Sequence, residues 1–294
     1  MPRFPAAFAG GYTGIGSLPH RVPAEAIGLA LFADVPYWPQ LPQRHADEAM
    51  VRQFATPGNP LLPDRTAGIW ALAEALGDRR LPALKGQITG PVSAGGAPDT
   101  WTTTGKALAG KAAWQVRLLR RWAEEVLLVV DEPALATVDE ADRPMAEAAL
   151  RAVITAAREA GATVGVHCCG TADWEWLVGL DWDVLSFDMA IGPPLGLLAR
   201  HVQAGGGILW GCLPTDQDPD VAAAERQLAL RWQAGALDRD MWLRAAMISP
   251  ACGLGLVPLV RAERICHALA GMTATWRDGH RPWLPAVSRT AVEG

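Results

Sequence analysis

The sequence predicts an α/β protein folded as a single (β/α)8 TIM barrel over residues 1–294, with 271–294 as a C-terminal extension. Two observations predict it. Short apolar runs recur along the chain, eight by our count, each closed by Gly, Pro, Asp or Cys. Between several of them lie segments rich in Ala, Leu and Arg with helical periodicity. Strands alternating with helices imply βαβ units and a parallel sheet. Eight such units in 294 residues fit a closed barrel better than an open sheet. No change of composition, internal repeat or low-complexity stretch suggests a second domain.

The first run is YTGIGSLPH (12–20), glycine-punctuated, and the second is VPYWPQLP (35–42). An irregular link from Phe54 to Leu81, beginning TPGNPLLPD, reads as an excursion at the barrel rim. The third and fourth runs, LPALKGQITGP (81–91) and VLLVVDEP (126–133), flank a helical stretch at Lys106–Glu125. A second helical stretch, Met145–Ala160, leads to the fifth run, ATVGVHCCG (162–170). WDVLSFD (182–188) and GGILWGCLPT (206–215) follow as sixth and seventh. Helical periodicity at Val221–Gln233 precedes the eighth, AAMISPACG (245–253), and Val257–Ala270 closes the set. The tail from Asp278 reads as a packed or loosely ordered extension.

Composition limits the partners. A net charge of −5 and a pI near 5.7 give no overall attraction to nucleic acid or to an anionic membrane. No apolar stretch approaches the roughly 18 residues of a spanning helix. The start, MPRFPAAFAG, is too short and too proline-rich for a secretory signal. Cys168, Cys169, Cys212, Cys252 and Cys266 are an odd set without small-scaffold spacing, which argues against a disulfide framework. A reduced, cytoplasmic protein is expected. Thirteen Trp against two Tyr fit core filling and pocket walls.

In such barrels the chemistry sits at the carboxyl ends of the strands. Here those ends carry Ser17, His20, Gln40, Gln87, Asp131, Glu132, His167, Cys169, Asp188, Cys212 and Cys252. His167 and Cys169 are two residues apart, so on an extended strand they point the same way, toward the barrel mouth. Cys168 then faces the helical layer and is structural. Catalytic zinc takes about three protein ligands from Cys, His and carboxylate and leaves one position for substrate. Cys252 at the eighth strand end and Asp188 at the sixth are the candidates to complete such a set. A thiolate-rich site suits chemistry in which the metal holds a substrate thiol as a nucleophilic thiolate. The plainer alternative is that these cysteines are small buried hydrophobes, and for Cys212 and Cys266 taken alone that reading is preferred. Asp131–Glu132 admits a plain alternative too, a pair at a helix N-terminus; GIGS could be a glycine turn.

Six motifs, IGSLPH, LKGQITGPVS, VVDEPAL, VHCCG, DVLSFD and SPACGLG, occur in this order. In that order they resemble the catalytic barrel of cobalamin-independent methionine synthase. The resemblance extends from about Tyr12 to Ala270. That family lies in a superfamily with uroporphyrinogen decarboxylase and the zinc-dependent corrinoid:thiol methyltransferases. The resemblance implies that His167, Cys169 and Cys252 bind zinc and that Asp188 replaces a ligating glutamate. It places Ile15, Gly16 and Ser17 where the family holds the amino-acid backbone, and Asp131 where a carboxylate pairs with the substrate ammonium. Cys212 stands in place of the family's proton-delivering histidine, which makes it, with Asp131, a candidate catalytic residue. Other departures concern the methyl donor. The family's glutamate after strand two is missing at its place in WPQLPQRHADEAM, and its tryptophan after GPV is replaced in GPVSAGG. The family's additional N-terminal barrel, which helps bind the polyglutamylated donor, has no counterpart here. The expectation is zinc-dependent methylation of a thiol, homocysteine, by a methylcorrinoid protein instead of folate. The rivals are a metal-free decarboxylase-like barrel using Arg21 and Arg44, and a non-catalytic thiol- or metal-binding accessory subunit.

Overall fold

A computed structural model describes residues 3–54, 65–235 and 237–277. Six parallel strands form one sheet in sequence order: β1 (Leu81–Thr89), β2 (Ala123–Asp131), β3 (Thr163–Cys168), β4 (Val184–Asp188), β5 (Gly207–Leu213) and β6 (Ala246–Pro250). They correspond to the third through eighth apolar runs. The first two runs are extended segments that make single parallel bridges instead of regular strands. Tyr12 bridges Ile248 at the β6 edge, Tyr37 bridges Lys85 at the β1 edge, and Ser17 bridges Gln40 between the two segments. The sheet therefore curls, with both edges reaching toward these segments. Their sequences explain the irregularity. Gly14, Gly16 and Pro19 in the first, and Pro36, Pro39 and Pro42 in the second, weaken or remove ladder donors.

Helices cover the sheet, and their bounds refine the sequence reading. The stretch expected at 106–125 is instead a helix at Pro98–Leu119, opened by Pro98 at its first turn with Asp99 beside it. Residues from Ala123 onward already belong to β2. The next helices span Arg143–Glu159 and Val221–Ala234, close to expectation. The last runs Leu259–Arg277, so residues 271–277 continue a helix; 278–294 of the expected extension lie outside the described residues. Residues 55–64 of the link between Phe54 and Leu81 also lie outside them, and the described remainder of the link contains the helix Ala67–Leu76. Among the described residues no helix is long and apolar enough to cross a membrane.

Strand alternation sorts the side chains into two layers. Ala83, Leu127, Val129, Val184, Leu209 and Met247 gather in a small inner cluster with Ile15, Val35, Phe4 and Phe8. Residues of the opposite parity, such as Leu128, Val130, Val166, Phe187 and Trp210, join the larger outer cluster under the helices. The inner cluster is a floor. Continuing the inward parity toward the carboxyl ends gives Lys85 and Gln87 on β1, Asp131 on β2, His167 on β3, Ser186 and Asp188 on β4, and Ser249 on β6.

Candidate metal centre

Above the apolar floor, register aligns the polar side chains. Asp131 pairs with His167 and His167 with Ser186, so the three stand in one row across β2, β3 and β4. His167 is buried, and its Nδ1 lies 2.9 Å from Ser186 Oγ. Its Nε2 is buried with no hydrogen-bond partner. Cys169 follows β3 and Cys252 follows β6, both half-buried. One ligand atom from each of His167, Cys169 and Cys252 falls within 4.8 Å of the other two. Among the described residues this is the one such group. A buried imidazole nitrogen without a partner, beside two thiols, is a donor set suited to zinc. The thiols are themselves coupled. A hydrogen bond from Cys252 draws Cys169 down to about 7, while Cys252 is pushed up to about 12. The pair releases one proton easily and the second with difficulty.

Asp131 flanks this group and is 2 % exposed, with Oδ1 lacking a hydrogen-bond partner. Burial lifts its carboxyl from 3.8 to about 6 against the opposing pull of His167 and Lys85. Lys85, an inward lysine that the sequence reading did not single out, is fully buried and burial lowers it to about 8. Its ammonium donates to the carbonyl of Ile15. Ser186 was missed as well; its signal was the inward parity it shares with Asp188 in LSFD.

The remaining candidates lie elsewhere or are already engaged. The oxygen ligand expected from Asp188 is not among the converging atoms. Its Oδ1 accepts from Ala190 N at 2.8 Å, closing a turn at the end of β4. Cys212 has the outward parity of Trp210 and is buried in the outer cluster, its thiol 3.8 Å from Ser249 O. Burial pushes that thiol up to about 12, and its location removes it from the catalytic role the resemblance implied. Cys168 and Cys266 also pack in the outer cluster. Ile15 contributes its side chain to the floor, and a Cβ at Gly16 would stand 2.8 Å from Gln87. Ser17 Oγ accepts from Gly255 N at 3.1 Å. Gln87 donates to Trp38 O at 2.9 Å, and Gln40 donates to Gln53 at 2.6 Å.

Glu132 is buried and spans two strand ends. Its carboxylate accepts from Val92 N and Ser93 N, each at 2.9 Å, and from Ser93 Oγ at 2.7 Å. It thus caps the short helix Pro91–Gly95 after β1, and a Cβ at Gly90 would collide with it at 2.1 Å. Glu132→Ala strands these donors. At about 1–3 kcal/mol per buried unsatisfied group, the expected loss is several kcal/mol in denaturant unfolding with the metal group still in place. An unchanged midpoint would show that water takes over all three bonds.

No protein-family model matches this chain, and no curated protein sequence matches it. Solved structures do. A methyltransferase from Methanosarcina mazei is similar with a TM-score of 0.51 and 15% identity, over 73% of this chain and 67% of that chain. At that identity the likeness speaks for the fold alone. A xylose isomerase-like TIM barrel/4-hydroxyphenylpyruvate dioxygenase fusion protein is similar with a TM-score of 0.43 and 11% identity, over 91% of this chain and 45% of that chain. The resemblance to the methionine synthase family therefore rests on the sequence motifs alone.

Proposed function

We propose that this chain is a cytoplasmic, zinc-dependent thiol methyltransferase in a single (β/α)8 barrel. It moves a methyl group from a methylcorrinoid protein to homocysteine, giving methionine without folate. In this reading the two bridged segments at Tyr12–Ser17 and Tyr37–Gln40 are the first two barrel strands. The observation that carries the proposal is the convergence of His167, Cys169 and Cys252 at the carboxyl ends of the sheet. The methyltransferase likeness supports a compatible fold, and the motif order supports the reaction class.

Zinc, when bound, supplies a Lewis acid that holds an acceptor thiol as its thiolate near neutral pH. Ser186 holds His167 by Nδ1 and leaves Nε2 as the donor nitrogen. Asp131 presents its unpartnered Oδ1 to the acceptor's ammonium group. The apolar floor of Ile15, Val129 and Leu209 keeps water from entering beneath. In the transfer, a sulfur lone pair forms the new S–CH3 bond while the donor keeps the electron pair of the bond that breaks.

Two departures from the family's pattern support a donor other than folate. GPVSAGG offers no tryptophan, and the glutamate that WPQLPQRHADEAM does contain, Glu48, is buried and paired with Arg44. Methylcobalamin, free or protein-bound, should therefore yield methylated thiol with the purified protein, and methyltetrahydrofolate should yield none. Efficient turnover with methyltetrahydrofolate would return the chain to the ordinary methionine synthase reaction. A zinc-loaded protein inactive with both donors would favour the accessory-subunit reading.

A further inference from the structure

We infer that Ser17 is a positioning residue that holds the Cys252 loop in place for metal binding, instead of a residue that grips the substrate. The inference rests on the metal centre proposed above. Ser17 meets the loop twice: its carbonyl accepts from Leu254 N at 3.0 Å and its Oγ accepts from Gly255 N at 3.1 Å. The glycines on either side of Leu254 make this approach possible. A Cβ at Gly253 would stand 2.4 Å from Ser17 Oγ, and one at Gly255 would stand 2.8 Å from Ser17 Cβ. Leu254 between them is buried at 2 % exposure and anchors the loop in the outer cluster.

Cys252 is thus tethered on both sides. Behind it, Ala251 N donates to Leu213 O at 2.8 Å; ahead of it lie the two Ser17 bonds, joined by Gln43 Nε2 donating to Gly255 O at 3.3 Å. Ser17 is itself held, because its neighbours Gly16 and Leu18 exchange backbone hydrogen bonds with Gln40 at 3.0 and 2.9 Å. Ser17 therefore commits its carbonyl and the acceptor side of its hydroxyl to the ligand loop, while the Gly16 carbonyl and the Leu18 amide close the chain against Gln40. Groups that orient a metal ligand commonly affect affinity by about 10–100-fold.

The test uses cobalt(II) as a spectroscopic substitute for zinc, together with iodoacetamide alkylation of the metal-free thiols followed by peptide mass analysis. Ser17→Ala should weaken cobalt binding about tenfold or more, with the thiolate charge-transfer band reduced toward that of Cys252→Ser. In the metal-free protein it should speed alkylation of Cys252 severalfold and leave buried Cys168 unchanged, which also reports that the fold is intact. Gly253→Ala should act in the same direction. Combined with Ser17→Ala it should add little, because the atom it collides with is gone. Parent-like cobalt affinity and parent-like Cys252 alkylation in Ser17→Ala would overturn the inference. Should that variant not fold, Gly253→Ala decides alone by the same two readouts. If the parent binds no cobalt, the metal reading fails separately, and the alkylation rates still decide whether Ser17 holds the loop.

Discussion

Cys252→Ser should strip most of the zinc from the purified protein while leaving the sheet intact. The parent is expected to carry about one zinc per chain, because an imidazole and two thiols meet the usual donor count. Removing Cys252 leaves His167 and Cys169, short of the roughly three protein ligands such a site needs. The fold should tolerate the change. Cys252 follows β6, is half-buried and belongs to neither apolar cluster. Elemental analysis gives the zinc content, and circular dichroism checks the sheet. Added zinc should raise the parent's melting temperature by mass action and leave the variant's unmoved. Cys266→Ser is the matched control. That thiol is buried in the outer cluster, so its loss perturbs packing without touching zinc. Full zinc retention in Cys252→Ser would remove Cys252 from the site and undo the motif alignment that placed it there.

What the sequence conveyed depended on parity and on strand ends. His167 and Cys169 lie two apart at the end of an apolar run, which was enough to aim both at one side. The same rule, applied to GILWGCL, would have placed Cys212 beside Trp210 on the outward face. Position relative to a family histidine outweighed it, and the structure puts Cys212 under the helices. Asp188 does have inward parity, but an aspartate at a strand end can satisfy a neighbouring amide instead, and here it does so at Ala190. The contacts of Ser17 were illegible for a different reason. Its partners, Leu254 and Gly255, are over two hundred residues away, and no local pattern announces that contact. The six regular strands were visible as Val-, Ile- and Leu-rich runs, as expected for strands buried on both faces. The first two runs carried the same apolar signal, yet their prolines and glycines reduced them to single bridges.

Asp131→Asn should weaken homocysteine binding strongly, leave zinc content unchanged and barely affect a thiol without an amino group, such as mercaptoethanol. Asp131 sits beside His167 in the cross-strand row, is 2 % exposed, and keeps Oδ1 unpartnered. A buried acceptor in that state has lost its water and gained nothing in return. An ammonium group reaching it would form a charge-assisted hydrogen bond worth about 2 kcal/mol, or about 30-fold in binding. Asparagine keeps the shape and one acceptor but removes the charge. The pH dependence carries the same signature. Burial holds the Asp131 carboxyl at about 6, above its ordinary 3.8, so it is protonated below that point and ionised above it. Bound zinc favours the ionised carboxyl and would move this point lower, so on the zinc-loaded protein homocysteine affinity should fall relative to that of mercaptoethanol only as pH drops below about 6, and Asp131→Asn should lose that difference. Titration calorimetry with the two thiols on the zinc-loaded protein measures both effects. Equal damage to both thiols would assign Asp131 a structural or general catalytic role. Damage to neither would mean that the acceptor is not an amino acid, and the family's substrate could not be carried over to this chain.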